Sequence, residues 1–156
     1  MKTASITFLK SAFVFLVISL GSFLFGTASA TCTQANLTGT WYAMGVSGDT
    51  YWDEMTETDR CKVVISSTGA VTSGSSCNIR DQRGLYTLRI ASGTMHVTTA
   101  CAVSGSLRLC GNSACTVSAI FTIQYGQMTR DKESFPLLGY KSADPDVVFI
   151  YEAVKQ

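Results

Sequence analysis

The chain of 156 residues contains a single histidine, His96, two prolines and no Cys-x-x-Cys pair. One histidine without a Gly-x-Ser-x-Gly turn argues against Ser-His-Asp or Cys-His catalysis. Structural zinc sites need four clustered thiolate or imidazole ligands, which these spacings do not provide. We therefore expect a protein that is not an enzyme and that holds neither a metal nor a cofactor.

Long apolar runs are also scarce, and only one is present. It covers Ser11–Phe25, follows Lys2 and Lys10, and is succeeded by a cluster of small residues. Fifteen residues are fewer than the about 20 that a membrane-spanning helix needs. Basic residues, an apolar run and small residues in this order are typical of a secretory signal peptide. We predict that residues 1–30 are this signal and that residues 31–156 form one secreted or periplasmic domain, without a membrane span after cleavage.

The predicted mature domain has no excess of positive charge. Residues 31–156 contain ten Lys and Arg residues and eleven Asp and Glu residues. Nucleic-acid binding depends on a basic surface that neutralises phosphates. We therefore expect no nucleic-acid partner.

Six cysteines remain in the mature part, and an even number in an exported chain predicts three disulfides. Cys61 and Cys77 are symmetric about Gly69, within a predicted hairpin. Directly opposite residues of a hairpin lie roughly 4.5 to 5.5 Å apart at Cα, which a disulfide can span. We predict that these two cysteines pair.

The pairing of the other four cysteines stays open between two arrangements. In one, Cys110 joins Cys115 across a short turn, which leaves Cys32 for Cys101. In the other, Cys101 joins Cys110 about the turn Ser104-Gly105-Ser106, which leaves Cys32 for Cys115.

From Gly39 onward, short runs rich in Val, Ile, Thr and aromatic residues are separated by glycines, as in antiparallel all-β domains. Two segments are predicted to be irregular, Ser47–Arg60 and Lys132–Asp146. The final run, Val147–Tyr151, is apolar on both faces, so a closed barrel or an oligomer contact would cover its second face. We predict a single antiparallel up-and-down barrel of about eight strands, braced by disulfides. The predicted strands are Gly39–Val46, Cys61–Ser67, Ala70–Cys77, Leu85–Ala91, Met95–Val103, Ser106–Cys110, Thr116–Tyr125 and Val147–Val154.

The first strand reads Leu37-Thr38-Gly39-Thr40-Trp41-Tyr42. It resembles the opening strand of the calycin barrels, which include lipocalins, fatty-acid-binding proteins and avidins, and the avidins most closely. The resemblance implies that Trp41 packs at the closed end of a barrel, beneath an open cup for an apolar ligand. Lipocalins also place an arginine from the last strand over this tryptophan, where this chain offers only Lys155. Exported bacterial inhibitors of metalloproteases share a small barrel that begins in a similar way.

Five residues are candidates for ligand contact. Tyr51 and Trp52 lie in the acidic segment Ser47–Arg60, which would follow the first strand as a lid, and amphipathic aromatics supply contact area together with a polar group. Otherwise this segment would be a solvated acidic loop. Tyr42, Met44 and Phe121 are expected to line the interior.

The first functional hypothesis is an exported, non-enzymatic barrel that binds a small apolar ligand in its cup. Ligand pockets measure several hundred Å³, so a cavity below about 100 Å³ would contradict it. The alternative is a protein-binding module, such as an extracytoplasmic protease inhibitor, which a filled core and an exposed apolar patch would favour. The expected partner is a small apolar ligand or an extracytoplasmic protein, and the sequence predicts no oligomeric state.

Overall fold

The computed structural model describes residues 31–51 and 54–156, which form a closed barrel of eight antiparallel strands. Each strand pairs with the next one along the chain, and the last pairs with the first to close the barrel. This confirms the predicted all-β, up-and-down fold. The elements are α1 (Gln34–Leu37), β1 (Gly39–Asp49), β2 (Glu54–Ile65), β3 (Ser76–Asp81), β4 (Gly84–Val97), β5 (Ala102–Cys110), β6 (Ser118–Gln127), β7 (Ser134–Lys141) and β8 (Asp144–Lys155).

The hydrophobic core fills the inside of the barrel. On β1, Trp41 and Ala43 are buried, whereas Tyr42 and Met44 between and after them are exposed. Successive side chains of a strand point to opposite faces of the sheet, so one face of every strand contributes to the core. Within the described ranges, no helix is long and apolar enough to cross a membrane.

The short helix α1 seals one end of the barrel, which we call the closed end. Leu37, the last residue of α1, is fully buried there. The indole N–H of Trp41 donates to the carbonyl oxygen of Leu37 over 2.7 Å, so the polar atom of the ring is satisfied. The Trp41 ring meets Phe135 edge to face, with centroids 4.8 Å apart. The Lys155 ammonium lies 5.6 Å from the centroid of the Trp41 ring.

Three disulfides brace the described part of the chain, as predicted. Cys61 and Cys77 stand directly opposite each other on β2 and β3, with Cα atoms 4.0 Å apart. Of the two arrangements left open, the structure contains the first. Its bonds are Cys32–Cys101 and Cys110–Cys115. Multiple disulfides are typical of proteins that work in an oxidising compartment.

The predicted boundary between Leu85–Ala91 and Met95–Val103 is wrong, because β4 runs without interruption through this region. A glycine at position 93 does not turn the chain here. A Cβ on Gly93 would lie 2.5 Å from the backbone oxygen of Ser106 on β5, so the missing side chain permits close approach of two strands.

The prediction that Lys132–Asp146 is irregular is also wrong, because this segment contains β7. Phe135, Leu137 and Gly139 are buried and alternate with exposed Pro136 and Leu138. The β6–β7 pairing begins only at Leu137, so Pro136 has no partner on β6 that would require its missing N–H. The structure therefore contains one strand that was not predicted, β7, and joins two predicted strands into β4. The total stays at the predicted eight.

The predicted strand Met95–Val103 is wrong as well, because β4 ends at Val97 and β5 begins at Ala102. The predicted turn Ser104-Gly105-Ser106 lies within β5.

The remaining boundaries differ mainly around the first hairpin. The predicted irregular segment Ser47–Arg60 is wrong, because β1 continues to Asp49 and β2 begins at Glu54. The third strand begins at Ser76, later than the predicted Ala70. The connection between β1 and β2 therefore occupies only positions 50–53, and most of the acidic segment belongs to the barrel wall.

Candidate functional site

A small cavity lies within the barrel. It extends from Trp41 and Phe135 at the closed end to Ser47, Glu57 and Asp59 near the opposite end, and its walls are mainly apolar. We call that opposite end the mouth. It is bounded by the connections at 50–53, 82–83, 111–117 and 142–143.

The volume of the cavity is about 50 Å³. This is less than the about 100 Å³ below which whole-ligand binding is contradicted. The expectation of a cup that encloses an entire ligand is therefore wrong for this structure. A group of a few heavy atoms is what the cavity can hold.

Five polar residues meet between this cavity and the mouth, and we call them the carboxylate cluster: Ser47, Glu57, Asp59, Tyr86 and Tyr151. The Tyr151 hydroxyl donates to Asp59 Oδ2 over 2.5 Å. Ser47 Oγ lies 2.8 Å from the same oxygen and 2.9 Å from Glu57 Oε2. The Tyr86 hydroxyl donates to Glu57 Oε1 over 3.3 Å. The two carboxylates thus share one serine and take one tyrosine each.

The absence of a side chain at Gly45 permits this arrangement. Gly45 is the β1 residue opposite both Asp59 on β2 and Tyr151 on β8. A Cβ at this position would overlap the Tyr151 ring and the backbone oxygen of Ile150. Glycine therefore lets the tyrosine ring cross β1 and reach a carboxylate two strands away.

The cluster has more acceptors than hydrogens. Ser47 has one hydroxyl hydrogen and contacts two carboxylates, so it can donate to only one of them at a time. Asp59 is 2% exposed, and its second oxygen, Oδ1, has no hydrogen-bond partner among the described residues. A buried carboxylate oxygen without a donor is costly. The cluster therefore has fewer donors than its carboxylate oxygens can accept.

Both tyrosines of the cluster are held in their neutral form. Burial, reinforced by the charge of Asp59, raises the pKa of Tyr151 far above its ordinary value. Burial and then the charge of Glu57 raise the pKa of Tyr86 to about 12. Each hydroxyl therefore keeps its proton at neutral pH and remains a donor to its carboxylate.

An aromatic wall, formed by Phe121, Phe149 and Tyr151, continues from the cluster along the cavity. The rings of Phe149 and Tyr151 stack with centroids 5.2 Å apart, and those of Phe121 and Phe149 lie 5.7 Å apart. The faces of aromatic rings carry partial negative charge. The cavity is therefore apolar in composition but negative in electrostatic character at its mouth end.

Of the four candidate contact residues that the structure describes, only Phe121 lines the cavity. The prediction that Tyr42 and Met44 face the interior is wrong, because Trp41 and Ala43 take the inward positions and strand alternation turns their neighbours outward. Tyr51 is exposed at the end of β1, away from the cavity lining. Trp52 lies outside the described residues.

The sequence reasoning missed the acidic part of the site. Asp59 precedes Cys61 by two positions, and Ser47 follows Trp41 by six. Because residues an even number of positions apart on a strand face the same side, both are expected to face the core as Cys61 and Trp41 do. This period of two was the available signal. The many acidic residues of the segment instead suggested a solvent-exposed loop, because acidic side chains are mostly found in solvent.

The structure also locates the groups considered for metal binding and nucleophilic catalysis. His96 is exposed on β4. Among the described residues, no three His, Cys, Asp or Glu side chains are grouped so that they could hold a metal ion.

The outside of the barrel carries an apolar surface that spans β1, β8, β7 and β6, and we call it the outer apolar face. Ile150 on β8 is opposite Leu138 on β7, which is in turn opposite Tyr125 on β6. Their side chains are 53%, 39% and 62% exposed. Large contiguous apolar surfaces often mark binding sites for other proteins. The exposed members are Tyr42, Met44, Tyr125, Leu138, Ile150 and Val154.

Comparison with known proteins adds no family assignment. No protein-family model matches the chain, and no curated protein is significantly similar to it in sequence. The eight-stranded up-and-down barrel is consistent with the architecture of the calycins, but an architecture alone does not establish a function.

Proposed function

We propose that this chain is an exported, non-enzymatic binding protein whose barrel receives one end of a small ligand through the mouth. The observation that carries the proposal is the cavity, which is closed by Trp41 and Phe135 and ends at a buried polar cluster. Apolar pockets with a few convergent polar groups are the usual form of small-molecule sites.

The cavity volume determines how much of a ligand can enter. About 50 Å³ accepts a short, slender group, so the remainder of the ligand must extend past the mouth. Glu57 and Tyr86 are half-buried, so this end of the cavity borders solvent. We therefore propose that one end of the ligand is held in the cavity and that the rest of the ligand lies outside the barrel.

The paired carboxylates do not support a hydrolytic role. A glycosidase needs two carboxyl groups that flank the scissile bond of a bound sugar. Glu57 and Asp59 instead lie on one side, both within hydrogen-bonding distance of Ser47. A sugar ring is also larger than the about 50 Å³ that the cavity offers. These features support binding without catalysis.

Native mass spectrometry of protein purified without denaturation from its own compartment tests the proposal. We expect a bound small molecule on the wild-type protein. Ala43→Val adds two methyl groups to a residue that lines the cavity and should abolish the adduct. Ala102→Val is the matched control, because Ala102 is exposed on β5.

Circular dichroism would first establish that both variants fold. An adduct on all three proteins would place the ligand elsewhere. A wild-type protein that neither carries an adduct nor binds small probes in solution would contradict the proposal.

The alternative function, a protein-binding module, is favoured by the outer apolar face together with a largely filled interior. Its occupant would be an extracytoplasmic protein that covers Leu138 and Ile150. In this case Tyr42 and Met44 would contribute to binding from outside the barrel.

Affinity capture from a native envelope fraction separates the two functions. Ile150→Glu should release a protein partner, whereas Leu85→Glu, an exposed position on β4 outside that face, should retain it. Recovery of no partner together with recovery of a small molecule by extraction would contradict the alternative.

A further inference from the structure

We propose that the barrel binds a primary amine, which enters with its ammonium group first and donates N–H hydrogen bonds to Asp59. This inference rests on the proposed function, because it uses the same cavity and mouth. It adds the chemical class of the ligand.

The negative charge of the cluster favours a cation. Asp59 and Glu57 approach each other through Ser47, and the cluster contains no lysine, arginine or histidine. The salt bridges among the described residues are Arg83–Asp81 and Lys141–Asp144, and neither involves the cluster. Arg83, whose charge acts on Glu57 without a salt bridge, is already paired with Asp81. Two neighbouring carboxylates, one of them buried, are therefore left without a cation in direct contact.

The cluster also has too few hydrogen-bond donors. Three hydroxyl groups serve four close contacts to carboxylate oxygens, and Oδ1 of Asp59 receives none. An ammonium group has three N–H donors and no acceptor. It would supply both the missing hydrogens and the missing positive charge, and hydrogen bonds between ionised partners are the stronger kind.

The aromatic wall likewise favours a cation. Tyr151 belongs to both the wall and the cluster, and Phe149 stacks on it one layer nearer the mouth. A cation next to aromatic faces gains a favourable interaction that grows when water is excluded. The wall thus favours a positively charged group over a neutral group of the same shape.

Size selects among the possible cations. The volume of about 50 Å³ admits an ammonium group with one or two methylene groups. A quaternary ammonium group is wider and has no N–H to donate to Asp59. We therefore expect a primary amine on an unbranched chain, the body of which continues past Glu57 and Tyr86 into solvent.

Three probes of equal length test the inference on the wild-type protein: n-hexylamine, n-hexanol and n-hexanoate. Binding would be measured by calorimetry and by NMR shifts of the Ser47 and Asp59 amides. We expect hexylamine to bind about tenfold tighter than hexanol or more, because it restores a charged hydrogen bond. Hexanoate should bind weakest, because it brings a third negative charge.

The outcomes distinguish the two proposals. Equal affinity for hexylamine and hexanol would overturn the amine inference and leave ligand binding in the cavity intact. Failure of all three probes to bind would contradict both proposals.

Asp59→Asn provides the matched variant, because it preserves the shape of the side chain and removes its charge. We expect it to weaken hexylamine about tenfold or more while hexanol affinity stays within about twofold. Asp131→Asn is the control, because Asp131 is exposed in the connection between β6 and β7 at the closed end. If Asp59→Asn does not fold, Glu57→Gln takes its place, and a selective loss of hexylamine binding is again expected. An equal loss for both probes, or no loss, would overturn the inference.

Discussion

The three disulfides close loops of very different length, which makes their contributions to stability separable. The linked cysteines are 69, 16 and 5 positions apart for Cys32–Cys101, Cys61–Cys77 and Cys110–Cys115. If a crosslink acts by restricting the unfolded chain, these separations correspond to about 4, 3 and 2 kcal/mol. We predict that replacing each pair with alanine lowers the free energy of unfolding in this order.

The longest loop carries an additional structural cost. Cys32 and Cys101 are both buried, and their bond holds the segment that begins α1 against the closed end. Without it, Leu37 and the acceptor of the Trp41 N–H would be held less firmly. The Cys32→Ala/Cys101→Ala variant should therefore lose at least about 4 kcal/mol, or more than about 10 °C in melting temperature for a domain of this size.

Urea denaturation followed by tryptophan fluorescence, together with calorimetry, would measure these differences. Mass spectrometry under non-reducing conditions would verify that the two remaining disulfides are intact in each variant. A larger loss for Cys110→Ala/Cys115→Ala than for Cys32→Ala/Cys101→Ala would refute the loop-length reasoning. An unchanged melting temperature on complete reduction would refute the disulfide framework.

Three further changes have defined outcomes. The free energy of unfolding should be constant between pH 8 and 9.5 and fall as pH rises from 10 through 12. The reason is that unfolded tyrosines ionise near pH 10, whereas the pKa is about 12 for folded Tyr86 and is also raised for Tyr151. Urea midpoints at each pH would measure this fall, which Tyr151→Phe should reduce. Trp41→Phe removes a buried hydrogen bond and part of a ring, so urea denaturation should show a loss of about 2 kcal/mol or more; a loss below about 0.5 kcal/mol would contradict this role. Gly45→Ala should cost more than about 2 kcal/mol by overpacking, whereas Gly111→Ala, where a Cβ meets its nearest neighbour at an ordinary 3.5 Å, should be nearly neutral in the same assay.

Local patterns were sufficient to predict the all-β class, whereas the number of eight strands was correct only because the missed β7 and the divided β4 compensated. The period of two in the apolar residues and the glycine-separated runs predicted about eight antiparallel strands, and the spacing of Cys61 and Cys77 about Gly69 predicted both their pairing and the β2–β3 register. Such features depend on residues close together in the chain, where strand geometry alone constrains them.

The site depends on relations that no local pattern contains. Asp59 can be buried because Tyr151, 92 positions away, donates to it and because Gly45 leaves room for the ring. A segment with five acids predicts a solvated loop when each residue is judged by its own solvation. The outward position of Tyr42 and Met44 could have been predicted from strand alternation, because Trp41 faces inward. They were instead assigned to the interior because aromatic and apolar residues commonly contact ligands.

The pairing of β1 with β8 also determines at which end of the barrel a bead, dye or fused domain can be attached. The backbone N–H of Gln156 donates to the carbonyl of Thr40 at 3.0 Å, beside α1, so the carboxyl terminus leaves the barrel at the closed end. A bead, dye or fused domain joined after Gln156 would stand opposite Asp59 and leave the mouth facing outward. The protein can therefore be immobilised through its carboxyl terminus without obstructing the entry route that an amine would take.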